Sequence, residues 1–194
     1  MDEALAPTLA QNALRPAVPF VMGSGQLILS GRPRGAELLG AVMDHLLQAP
    51  EHSATPLDWS GISFVDVSCA DELLNKLLRR VRSGELGTRY LYLEGANPSV
   101  AETIETVLRL RELSVLARQE TGVVVLGELA RPMREALDLL LAHKAMTSAQ
   151  LAAALGKNTN IVCNRLNALQ RLGLTCRRED GSGGGRRYHY VSIL

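Results

Sequence analysis

The chain has 194 residues, 46% of them hydrophobic, and a formal net charge of +1, which suits one or two domains with a real core. No run approaches the roughly 18 apolar residues that a bilayer crossing takes, and Met1-Asp2-Glu3 puts no basic stretch ahead of a hydrophobic one, so no membrane association and a cytoplasmic location are expected. Three cysteines (Cys69, Cys163, Cys176) and four histidines (His45, His52, His143, His189) lie far apart with no metal-ligand spacing, which predicts free thiols, no metal and no cofactor.

Residues 1–17 show no clear period and read as a flexible leader. Pro19 to Val21 and Gln26 to Ser30 are β-prone runs separated by Gly23-Ser24-Gly25, a predicted hairpin. After Gly31-Arg32-Pro33 a helix is expected, with Leu38, Leu39, Val42, Met43, Leu46 and Leu47 as its apolar stripe, ending before Pro50. Glu51 to Pro56 is predicted as a polar loop. Then Leu57, Trp59, Ile62, Phe64 and Val65 make a β-prone stretch broken at Ser60-Gly61, followed by a helix from about Ala70 to Arg82 carried by Leu73, Leu74, Leu77, Leu78 and Val81. Ser68 stands at the junction, where its hydroxyl suits a helix cap. Tyr90 to Leu93 reads as a strand, Pro98 or Ser99 opens a helix with Val100, Ile104, Val107 and Leu108 inward, and Leu113 to Ala117 and Val123 to Leu126 are strands joined near Gly122. Strands alternating with helices predict an α/β fold, one sheet with helices packed on it.

The words Leu57-Asp58-Trp59-Ser60-Gly61 and Phe64-Val65-Asp66-Val67-Ser68, with Ala70-Asp71-Glu72-Leu73 after them, resemble the signature of the STAS domains, the family of bacterial anti-sigma factor antagonists, in its STAS-like Ala-Asp-Glu-Leu variant. The resemblance spans residues 18–129 and implies a small mixed sheet with Ser68 exposed at a strand-to-helix turn. It also implies a switch, since a histidine-kinase-like ATPase phosphorylates the family's serine at this place. A phosphate brings about two negative charges and three acceptor oxygens to a helix start. Val67 and Cys69 depart from the Ser and Gly often found there, and association with an unmodified regulatory partner, or with a second copy, remains the other use of the surface.

Charge is shared unevenly. Residues 131–194 hold ten Lys and Arg against four acids, a net of +6, and the remainder holds 11 against 16, a net of −5. Such a split points to a polyanion-binding half joined to something else. Arg131-Pro132 starts a helix with Met133, Leu137, Leu140 and Leu141 inward, and Thr147 to Gln150 spells a capping box for a short helix burying Leu151 and Leu155. Lys157-Asn158-Thr159 then turns into a third helix with Val162, Leu166 and Leu169 as its core side, and with Asn160, Cys163, Asn164 and Asn167 as a polar stripe. Leu174 to Arg178 and Arg186 to Ile193 are strands about a glycine-rich tip. Three helices and a basic hairpin resemble the winged helix-turn-helix domains of bacterial regulators, an α+β fold over residues 131–194.

That resemblance implies double-stranded DNA as partner. A helix fits the major groove and Asn pairs with the N6 and N7 edge of adenine; the candidate contacts are Asn158, Thr159, Asn160, Asn164 and Arg165. Arg177, Arg178, Arg186 and Arg187 are candidate phosphate contacts. With no phosphate loop, nucleophile elbow or metal cluster, an enzyme is not expected. The expected function is a DNA-binding transcriptional regulator, homodimeric because such readers usually engage two half-sites, whose first half senses a signal, binds a partner or dimerises. The competing expectation is an adaptor in a partner-switching pathway that contacts protein alone.

Overall fold

A computed structural model describes residues 14–180 and 187–194, so residues 1–13 of the expected leader lie outside the described residues. The chain divides into two compact units, Pro16–Leu129 and Ala130–Leu194, the second also taking in residues 14 and 15. The two-residue strand β1 (Arg15–Pro16) lies at the point in the chain where one gives way to the other.

The first unit is mixed α/β. Its strands are β2 (Phe20–Val21), β3 (Ile28–Leu29), β4 (Ser53–Asp58), β5 (Phe64–Val65), β6 (Tyr90–Glu94), β7 (Ser114–Gln119) and β8 (Gly122–Gly127). The main sheet runs β4–β6–β7–β8 with β2 also on β4; β2, β4, β6 and β7 are parallel and β8 is antiparallel to β7. Helix α1 is Arg32–Gln48, α2 covers residues 67–82, and α3 is Pro98–Leu110. One core joins them, from Met22 and Leu29 through Leu57, Trp59, Leu74 and Leu77 to Leu93, Ile104 and Leu126. Ser53 to Leu57 and Tyr90 to Leu93 are buried without alternation, the mark of strands covered on both faces.

Three expectations are corrected here. Residues 51–56 are not a polar loop, because β4 occupies Ser53–Asp58; its small polar side chains are buried, and the Ser53 hydroxyl is satisfied by the Pro50 carbonyl at 2.6 Å. The two early β-prone runs form no hairpin: β2 pairs with β4 and β3 pairs with β5, both in parallel. Positive φ at Gly23, Ser24 and Gly25 turns the chain out of one sheet and into the other. Third, α2 begins at Val67 rather than near Ala70, and its cap is Asp66, not Ser68. Asp66 Oδ1 accepts the Cys69 N–H at 2.7 Å.

Helix α2 is built of an α turn, Val67–Ala70, a π-helical stretch, Asp71–Asn75, and an α-helical end, Lys76–Arg82. An isolated π turn inside a helix usually marks a local demand on geometry. Here it coincides with Asp71, whose two carboxylate oxygens accept Arg111 Nε and Nη2 at 2.7 and 2.8 Å from the end of α3. Gly35 lets α1 lie close to α2: a Cβ there would stand 2.6 Å from the Cys69 carbonyl oxygen.

The second unit is helical with a small antiparallel sheet. Helices α4 (Arg131–His143), α5 (Ser148–Leu155) and α6 (Thr159–Arg171) enclose Leu137, Leu140, Leu151, Val162, Leu166 and Leu169, all fully buried. The capping box at α5 is complete, with Thr147 Oγ1 accepting the Gln150 N–H at 3.1 Å and Gln150 Oε1 accepting the Thr147 N–H at 2.8 Å. Strands β10 (Thr175–Asp180) and β11 (Arg187–Ser192) pair antiparallel, and β11 also pairs with β9 (Ala145–Thr147). Sequence periodicity missed β9, since three residues with Met146 alone buried carry no readable period.

Candidate nucleic-acid interface

Helix α6 takes its N-cap from Asn158, whose side-chain oxygen accepts the Asn160 N–H at 2.8 Å. That oxygen satisfies one of the donors a helix start leaves unpaired, so Asn158 is a positioning residue as much as a candidate contact. Thr159, Asn160 and Asn164 are exposed on the first turns. Arg165 is half-buried, and its Nη1 is buried without a hydrogen-bond partner among the described residues.

The polar stripe does not face outward as a whole. Cys163 and Asn167 are half-buried, and Asn167 Oδ1 accepts the Tyr190 hydroxyl at 3.1 Å. Burial pushes the Tyr190 hydroxyl above its ordinary pKa, against the opposing pull of Arg177, so it stays a neutral donor at physiological pH. The exposed face is therefore Asn160 and Asn164 together with Ile161, which is 48% exposed and which sequence reasoning missed. The signal was present: Ile161 sits three residues before Asn164, hence beside it on the helix surface.

On β10, successive side chains point to opposite faces, which separates Arg177 from Arg178. Arg177 is exposed with its guanidinium 4.6 Å from the centroid of the Tyr188 ring, a cation–π contact. Arg178 is half-buried. Arg186, the side chain of Arg187 and the glycine-rich tip at 181–185 lie outside the described residues.

In the first unit Ser68 is exposed on the opening turn of α2, and no hydrogen bond of its hydroxyl occurs among the described residues. Exposed apolar side chains stand in neighbouring elements: Val67 is the residue before it, and Phe64 pairs in register with Ile28. Next to Ser68, Cys69 is fully buried, and burial first, with Asp66 adding, pushes its thiol up to about 11. A thiol in that state is not a nucleophile at neutral pH.

Among the described residues no three His, Cys, Asp or Glu side chains come together in a way that could hold a metal ion, and no helix is long and apolar enough to cross a membrane. No protein-family model and no curated protein sequence matches the chain.

Proposed function

We propose that the chain is a DNA-binding transcriptional regulator in which residues 131–194 act as a winged helix-turn-helix reader and residues 18–129 as a STAS-like input unit. The observation that carries this reading is α6: a capped helix whose exposed first turns offer Asn160 and Asn164, with no acidic residue anywhere along Thr159–Arg171. A phosphate backbone repels carboxylates, and this helix presents none to it. Support comes also from Arg165, Arg177 and Arg178 on the same unit, which with Arg186 and Arg187 are the candidate phosphate contacts, and from the +6 charge of residues 131–194. The protein is taken to work as a cytoplasmic homodimer on two half-sites.

The experiment is a mobility shift of the full chain on duplex DNA at two salt concentrations. Binding at low salt that falls steeply at high salt supports the reading; no binding to any duplex at low salt sinks it. A second reading, the partner-switching adaptor, is favoured by one observation, the exposure of Ser68 together with Phe64 and Val67. Incubation with a histidine-kinase-like ATPase, followed by mass measurement of Ser68, tests that reading separately.

A further inference from the structure

We infer that Ile161 is a specificity-determining residue that packs on the C5-methyl group of a thymine, so that the site read by α6 is rich in A·T pairs. The inference rests on the proposed reading of α6 as the helix that enters the major groove. An isoleucine left 48% exposed on the opening turn of a helix gains nothing from water. Its neighbours three and four residues along are Asn164 and the half-buried Arg165, so it is no edge of a larger apolar patch on the helix.

The chemistry of the face selects one base pair. Asn makes a two-bond contact with adenine N6 and N7, an apolar side chain contacts the thymine methyl, and guanine is most often read by Arg or Lys. The exposed positions 159, 160, 161 and 164 carry Thr, Asn, Ile and Asn, with no cation among them. Of the cations along the helix, Arg165 is half-buried, and Arg171 lies in the last turn with its Nε donating to the Asn167 carbonyl at 3.4 Å. In an A·T pair the adenine N6 and N7 edge and the thymine methyl lie on the same major-groove edge, with thymine O4 between them. Ile161 and Asn164, three residues apart, are neighbours on the helix surface with about 5–6 Å between Cβ atoms.

The test uses the full chain. Sequences bound from a pool of random duplex DNA are selected, and each thymine of the selected site is then replaced singly by deoxyuridine, which removes only the methyl group. Wild type is expected to lose about fourfold in affinity at one thymine position, the worth of a buried methyl-sized group. Ile161→Ala, checked for an unchanged thermal midpoint, is expected to bind the thymine and uracil duplexes equally. Selected sites without an enriched A·T step, or a methyl preference that survives in Ile161→Ala, overturn the inference while leaving DNA binding intact. Failure to select any duplex removes the groove reading itself, and the role of Ile161 with it.

Discussion

Asp66 and Ser30, 36 residues apart, are joined by a 2.5 Å hydrogen bond from the serine hydroxyl to carboxylate Oδ2. The same oxygen accepts the Gly31 N–H at 2.8 Å, and Oδ1 accepts the Cys69 N–H, so one carboxylate serves the starts of α1 and α2 together. Burial pushes the Asp66 carboxyl up, but hydrogen bonds from Ser30, Cys69, Gly31 and Ser68 outweigh it and hold it below its ordinary pKa. A carboxyl lowered by folding contributes stability that is fully present above its unfolded-state pKa and is lost as pH falls through its folded one. Asp66→Ala is expected to cost about 1–2 kcal/mol at neutral pH, with the gap from wild type closing in acid. Urea midpoints measured down to about pH 3, below the ordinary carboxylate value, check it; a gap that stays constant contradicts the role.

Ser68 stands two residues further on, with its hydroxyl outside that network. Ser68→Ala should therefore shift stability by no more than about 0.5 kcal/mol, the usual range for an exposed position. Thermal denaturation reads this directly. A loss comparable to that of Asp66→Ala would return the cap to the serine, whereas a neutral variant makes Ser68→Ala a clean probe of partner binding.

Gly35 faces α2 at a distance no other side chain allows. Its φ is ordinary for a helix, so the demand is space alone: an added Cβ would meet the Cys69 carbonyl oxygen at 2.6 Å and Glu72 Cβ at 2.8 Å. Backbone cannot rotate away as a flexible side chain can, and overpacking of this kind costs about 1–3 kcal/mol. Gly35→Ala is expected to lower the urea midpoint accordingly, although alanine is the better helix former by about 1 kcal/mol. A stabilised Gly35→Ala would mean that α1 and α2 are free to move apart.

Of the two adjacent candidate phosphate contacts on β10, Arg177 is the exposed one and Arg178 is half-buried. Replacing Arg177 by Ala is expected to weaken binding similarly on all duplexes and to lower the slope of log K against log salt by about one. Titration at several salt concentrations measures the slope. An unchanged slope would assign Arg177 to its Tyr188 contact and take it out of the interface.

The helices were the legible part of this chain, for reasons visible in particular residues. Val100, Ile104, Val107 and Leu108, like Val162, Leu166 and Leu169, recur at helical spacing and are all buried, and Thr147 with Gln150 spelled out its own cap. The parallel strands were harder. Ser53, Ala54, Thr55 and Pro56 lie in the interior of the sheet, yet by composition they resemble a loop, and the pairing of Phe20 with Leu57 is a contact across 37 positions that no local pattern encodes. At the candidate interface Asn160 and Asn164 were visible, but periodicity could not tell which flank of their stripe faces water. Tyr190, on a strand 23 residues beyond Asn167, settles that by holding Asn167 inward.

That contact carries the last prediction. Tyr190→Phe removes the hydroxyl donor and leaves Asn167 Oδ1, on a half-buried side chain, short of a partner; the expected loss is about 1 kcal/mol. The ring itself stays buried, so the apolar area exposed on unfolding is unchanged and the urea m-value should be too. Asn167 lies in the third turn of α6, beyond the exposed opening turns that hold Asn160, Ile161 and Asn164. Duplex affinity of Tyr190→Phe should therefore follow only the folded fraction, while Asn164→Ala loses affinity with little change in stability. An unaltered urea midpoint in Tyr190→Phe would show that the bond contributes nothing. A fall in duplex affinity without a fall in stability would place Asn167 back among the residues that touch DNA.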